Sequence, residues 1–104
     1  MINAIKKLLG IGPKIDMGEL IAGGAVIIDV RTPGEYAGGH LKQSTNVPLN
    51  NLQKHLSKLK KENPIITCCA SGMRSSSAKS ILKSNGFTQV YNGGSWQNLR
   101  KYEK

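Results

Sequence analysis

Aromatic residues are scarce in this chain: one Trp, one Phe and three Tyr among 104 residues. The core must therefore be aliphatic, built from Ile, Val and Leu. Cysteine is scarcer still. The two present, Cys68 and Cys69, are adjacent, which excludes a disulfide framework, because neighbouring cysteines bridge only through strained geometry. Free thiols point to a reducing compartment, and a cytoplasmic location is expected. Histidine is limited to His40 and His55, each isolated. No Cys/His cluster has the spacing of a zinc site, so no metal is expected. Long apolar runs are missing. Residues 1–13 (MINAIKKLLGIGP) carry Lys6 and Lys7 among apolar side chains. That stretch lacks the continuous apolar stretch of a signal peptide and is too short to span a bilayer. It reads as an amphipathic segment ahead of one domain over residues 14–104, with no stable membrane insertion.

Acidic residues are also few, 6 against 15 Lys and Arg, leaving a net charge of +9. Such a surface attracts anions. The lysines are scattered and no binding motif accompanies them, so no nucleic-acid partner is expected. The densest group, Lys58, Lys60 and Lys61, falls at the end of an expected helix, where cations suit the dipole. The small size and the lack of an obvious apolar patch lead to the expectation of a monomer.

What is there alternates strand and helix. Asp16-Met17-Gly18-Glu19 resembles a capping box opening a short helix that stops at Gly23-Gly24. Ala25 to Asp29 is a continuous apolar run ending in a charge, the pattern of a strand buried on both faces. Pro33 to Tyr36 begins a turn or short helix closed by Gly38-Gly39, and Thr45 to Val47 is a second strand stopped by Pro48. Asn50 is placed to cap a helix with Leu52, Leu56 and Leu59 on one face. Ile65 to Cys68 is the next strand, Ser75 to Asn85 a helix with Ala78, Ile81 and Leu82 inward, and Thr88 to Tyr91 a last strand. Asn92 to Ser95 turns into a terminal helix carrying Trp96, Leu99 and Tyr102. Strands and helices in this order, without hairpin turns, imply a mostly parallel sheet of four to five strands with helices on both faces. Sites in such sheets lie at the carboxyl ends of strands, where Asp29 and Cys69 fall.

The chemistry concentrates at Cys69-Ala70-Ser71-Gly72-Met73-Arg74-Ser75. A thiol at a strand end is followed by a small-residue turn, an arginine and the start of a helix. Loop amides, the helix dipole and Arg74 can converge there to stabilise a thiolate beside an anionic substrate.

These residues resemble the rhodanese-like family of sulfurtransferases in its small single-domain form. Ile27 to Tyr36 followed by Gly39-His40-Leu41 is similar to its Asp-Val-Arg box and Gly-His-Ile continuation. Asn46-Val47-Pro48-Leu49 is similar to its Asn-Ile-Pro box, Cys69 to Ser75 to its active-site loop, and Gly86-Phe87, Val90-Tyr91 and Gly93 to Trp96 to its closing region. Gln43-Ser44 stands where the family usually has Gly-Ala, and Trp96 follows the glycine pair closely.

The resemblance implies a rhodanese-like α/β fold and transfer of a sulfane sulfur from a donor such as thiosulfate to cyanide or a thiol through a persulfide. Aligned on Gly72 and Arg74, it gives the nucleophile's role to Cys69. Ala70, Ser71, Gly72, Met73, Arg74 and Ser75 would form the substrate-binding loop. Partners would be a small anionic sulfur donor and, in a relay, a protein donor or acceptor; no cofactor is implied. Asp29 and Arg31 are expected to pair with neighbours, His40 to make a structural hydrogen bond, and Trp96 to anchor the core. Two alternatives stay open: a non-catalytic or relay interaction module, and a cysteine phosphatase or arsenate reductase counted from Cys68 as Cys-x5-Arg.

Overall fold

The computed structural model describes residues 16–103, so the N-terminal segment lies outside the described residues. Four strands form one all-parallel sheet in the order β2-β1-β3-β4: β1 is Val26–Asp29, β2 Ser44–Asn46, β3 Ile65–Cys69 and β4 Val90–Ser95. The two central strands are the two apolar runs, as burial on both faces requires. Among the described residues, four α-helices connect and cover them: α1 Met17–Ala22, α2 Pro33–Ala37, α3 Leu52–His55 and α4 Met73–Ser84.

Side chains alternate along each strand, so the sheet has two cores. One holds Ile28, Val30, Ile65, Cys69 and Val90 under Ala78 and Leu82 of α4, together with Leu52 and Phe87. The other holds Ile27, Ile66, Cys68, Leu41 and Leu99 under Met17, Leu20 and Ile21 of α1. The spacing of Met17, Leu20 and Ile21, and of Ala78 and Leu82, puts each set on one helix face. Each fully buried Ile or Leu contributes about 1.5–3 kcal/mol. A one-residue slip of β3 would exchange its two apolar sets and carry Cys69 to the opposite face, so packing fixes which cysteine meets which core.

Several boundaries differ from the sequence reading. Strand β2 is Ser44–Asn46 rather than Thr45 to Val47, β3 runs on through Cys69, and α4 begins at Met73 rather than Ser75. Asn50 lies inside a 3-10 turn, Leu49–Asn51, and caps nothing; Asn51 takes the cap position without a side-chain bond. The helix expected after it is a single α turn flanked by 3-10 turns, although Leu52 is buried and Leu56 and Leu59 pack on the core as the spacing requires. The last strand starts at Val90 and continues through Gly93-Gly94, which read as a turn. It does so with a bulge, since Thr67 pairs with Asn92 while Cys69 pairs with Ser95. Gly93 makes this possible: a Cβ there would lie 2.9 Å from both Ile66 Cγ2 and Leu99 Cδ1. The terminal helix Trp96–Tyr102 is 3-10, which suits apolar residues spaced by three. Among the described residues, no helix is long and apolar enough to cross a membrane.

Candidate active site

Strand β3 ends at Cys69 on the face that α4 covers. Between them, Ala70 and Ser71 are exposed, and Gly72 turns the chain with φ +105°, a conformation that favours glycine. A Cβ on Gly72 would also approach Gly94 Cα at 3.4 Å. The turn wraps the loop back over the sulfur. The Gly72 N–H donates to Cys69 Sγ at 2.9 Å and the Ser75 N–H at 3.4 Å, while Ser75 Oγ lies 3.5 Å away. Burial alone would push the Cys69 thiol up. The side-chain and backbone hydrogen bonds of Ser75, then the amides of Gly72 and Ser71, outweigh it and hold the thiol below its ordinary value.

Cys68, one residue earlier, faces the opposite core beside Asp29. No hydrogen bond reaches its sulfur among the described residues. Burial, reinforced by the Asp29 charge, pushes this thiol up to about 12. Both cysteines are free.

Arg74 projects from the first turn of α4, and its guanidinium makes a two-point contact with Glu35, at 2.7 and 2.9 Å. Hydrogen bonding to Arg74 lowers the Glu35 carboxyl to about 2. Glu35 is itself fixed by a capping box with Thr32 at the start of α2. The pair stands half-exposed at the rim, and Arg74 carries its charge within electrostatic reach of Cys69. Beside Arg74, a cleft of about 360 Å³ is walled by Val30, Thr32, Pro48, Leu49 and Asn50. Met73, 79% exposed, stands on the outer side of the loop. Of the sequence-selected loop residues, Ser71, Gly72 and Ser75 bring amides to the sulfur, Arg74 is held at the rim by Glu35, and Ala70, Ser71 and Met73 are exposed.

The end of β1 is tied to α2 and the loop after it by a buried pair. Arg31 holds Asp29 through Nε and Nη2, at 3.0 and 2.8 Å, and donates on to the carbonyls of Gly39 and Glu35. Its guanidinium also lies over the Trp96 ring, 4.8 Å from the centroid. Asp29 and Arg31 therefore pair with neighbours, as expected. Nδ1 of His40 bonds to the Tyr36 carbonyl at 2.8 Å, and its ring stacks on Tyr36, a structural contact. A second recess of about 400 Å³ is lined by Lys54, His55 and Lys58 with Asn46 and Asn51; a cysteine lines neither this recess nor the Arg74 cleft.

Two residues of the site escaped the sequence reading. Glu35 is 39 positions from Arg74, and nothing local joins them. Asn92 looked like a turn residue. Its side chain instead accepts from Ser75 Oγ at 2.6 Å and from the Gly94 N–H at 2.9 Å, and donates to the Gly72 carbonyl at 3.2 Å. Its place straight after Val90-Tyr91, two residues that favour strands, was the available signal.

The family model described as Rhodanese-like domain matches residues 16–100. The chain is 37% identical over 68 residues to the uncharacterized protein YqhL of Bacillus subtilis, covering 65% of this chain and 54% of that protein. It is 35% identical over 68 residues to the thiosulfate sulfurtransferase GlpE of Stutzerimonas stutzeri, covering 65% and 62% respectively. In both, the match spans less than two thirds of the relative's own length. Among solved structures, an E. coli rhodanese determined with anions superposes with a TM-score of 0.69 at 30% identity, over 72% of this chain and 91% of that one.

Proposed function

The chain belongs to the rhodanese-like domain family, and on that premise we propose that it is a sulfurtransferase whose nucleophile is Cys69. The observation that carries the reading is the Gly72 amide, 2.9 Å from Cys69 Sγ, in a loop that also aims the Ser75 amide at the same atom. An ordinary cysteine is mostly protonated near neutral pH, and this donor set supplies the positive potential that a reactive thiolate needs.

In the first step the Cys69 thiolate attacks the outer sulfur of a donor such as thiosulfate. A bond forms between Sγ and that sulfur. The sulfur–sulfur bond within the donor breaks, and its electron pair leaves on sulfite. In the second step cyanide or a thiolate attacks the terminal sulfur of the Cys69 persulfide, and the bonding pair returns to Sγ. Electrons balance without a further redox partner. The amides of Gly72 and Ser75 hold the negative charge in each resting state. Arg74 attracts the oxyanion part of the donor, and Glu35 fixes where its guanidinium sits. The cleft of Val30, Pro48 and Leu49 offers apolar contact to the acceptor. The anions bound by the E. coli rhodanese and the thiosulfate activity named for GlpE support an anionic donor here. Counting the loop from Cys68 finds no comparable donor set.

The test is thiocyanate formation from thiosulfate and cyanide. Cys69→Ser is expected to abolish turnover with the fold retained, since the hydroxyl can accept the same amides. Turnover that survives Cys69→Ser would refute the assignment.

A further inference from the structure

The hydrogen bonds behind the Cys69 sulfur have a direction that chemistry fixes. The Gly94 backbone N–H can only donate, so the Asn92 atom 2.9 Å from it is the oxygen. The Gly72 carbonyl can only accept, so the atom 3.2 Å from it is the Asn92 nitrogen. The two contacts assign the carboxamide in the same sense and leave no freedom to flip it. Ser75 Oγ, 2.6 Å from the Asn92 oxygen, must then give its one proton to Asn92. It presents only a lone pair to Cys69 Sγ at 3.5 Å, an arrangement that accepts a proton from a neutral thiol.

A thiolate has no proton to give. For that state the Ser75 hydroxyl must turn and donate to sulfur. Asn92 can release it at small cost, because its oxygen keeps the Gly94 N–H and no buried acceptor is orphaned. Its nitrogen meanwhile holds the Gly72 carbonyl, and through that peptide region the Gly72 N–H that lies 2.9 Å from sulfur. We propose that Asn92 is a positioning residue that makes the Ser75 hydroxyl a two-position donor, turned to Asn92 when Cys69 is a thiol and to Cys69 when it is a thiolate or persulfide. The inference rests on the reading of Cys69 as the reactive thiol. Charged and titratable groups around the switch are Arg74 on α4, its partner Glu35 from α2, the Asp29–Arg31 pair at the end of β1, and Cys68. Strand β4 contributes the neutral Asn92.

The experiment is a thiolate titration followed by ultraviolet absorbance in the wild type, Ser75→Ala, Asn92→Asp and the double variant, with circular dichroism to verify folding. Cys68, pushed up to about 12, stays protonated through the range. Ser75→Ala removes the turning donor and keeps the backbone one. It is expected to raise the midpoint, so that the thiolate fraction below it falls about threefold or more, a shift of about half a unit. Asn92→Asp holds the Ser75 proton with a charged acceptor and removes the donor to Gly72, and the fraction is expected to fall about tenfold or more. In the double variant the two shifts should fall short of their sum. An unchanged midpoint in Ser75→Ala, or strictly additive shifts, would overturn the switch. If Asn92→Asp fails to fold, the Ser75→Ala midpoint decides alone. No sulfur donor enters the titration, so a failure of the sulfurtransferase reading would appear separately, as absent persulfide with the midpoints as expected.

Discussion

The two faces of the sheet receive the last two residues of β3, and both are cysteine. On the α4 face, Cys69 meets the turned amides of Gly72 and Ser75 and a half-exposed ion pair, Arg74–Glu35. On the α1 face, Cys68 meets apolar side chains and a closed ion pair, Arg31–Asp29, under Trp96. The side chains are chemically identical, yet their thiols move in opposite directions. Position in the strand repeat and the donors beyond it set that difference; residue type does not. One face holds charge at a sulfur; the other anchors the end of β1 to the α2 region through a closed pair.

The largest effect that would sharpen the contrast concerns the two ion pairs. Asp29→Ala leaves Arg31 buried and uncompensated, and is expected to cost about 3–5 kcal/mol in urea unfolding. Glu35→Ala, at a half-exposed and solvent-screened pair, is expected to cost clearly less than Asp29→Ala. Equal losses would mean that the two faces do not differ as described. A smaller effect is expected from Cys68→Ser, which buries a hydroxyl among apolar atoms at about 1–3 kcal/mol and leaves sulfur transfer intact. The same variant should alter the alkaline limb. Between an ordinary thiol value of 9.0 and about 12, the unfolded chain ionises Cys68 while the native one keeps its proton. The unfolded state then binds fewer protons, and stability falls as pH rises through that window. Cys68→Ser removes this contribution, so its unfolding free energy should decline less from pH 9 upward. An alkaline limb identical to wild type would show that Cys68 is not held protonated.

Local features carried much of this into the sequence. The apolar runs of β1 and β3 announced strands buried on both faces, and the small-residue turn and arginine after Cys69 announced a loop at that strand end. Asp16 caps α1 where its spacing put it, whereas the full reciprocal box forms at Thr32 and Glu35, which the sequence reading did not single out. What was not legible depends on contacts distant in the chain. Asn-Gly-Gly is a turn signal by local preference, but pairing with β3 and the tight fit of Gly93 against Ile66 and Leu99 keep those residues in a strand. Asn92 thereby reaches Ser75, 17 residues away. The Glu35–Arg74 pair likewise exists only because β1 and β3 end side by side.

The central claim is that the α4-face cysteine carries the transferred sulfur. Intact mass after incubation with thiosulfate, followed by fragment mapping, tests it most directly. The account predicts a gain of one sulfur atom, located on Cys69 and removed by a thiol reductant. A sulfur located on Cys68, or no gain at all with thiosulfate or a persulfide donor, would contradict it.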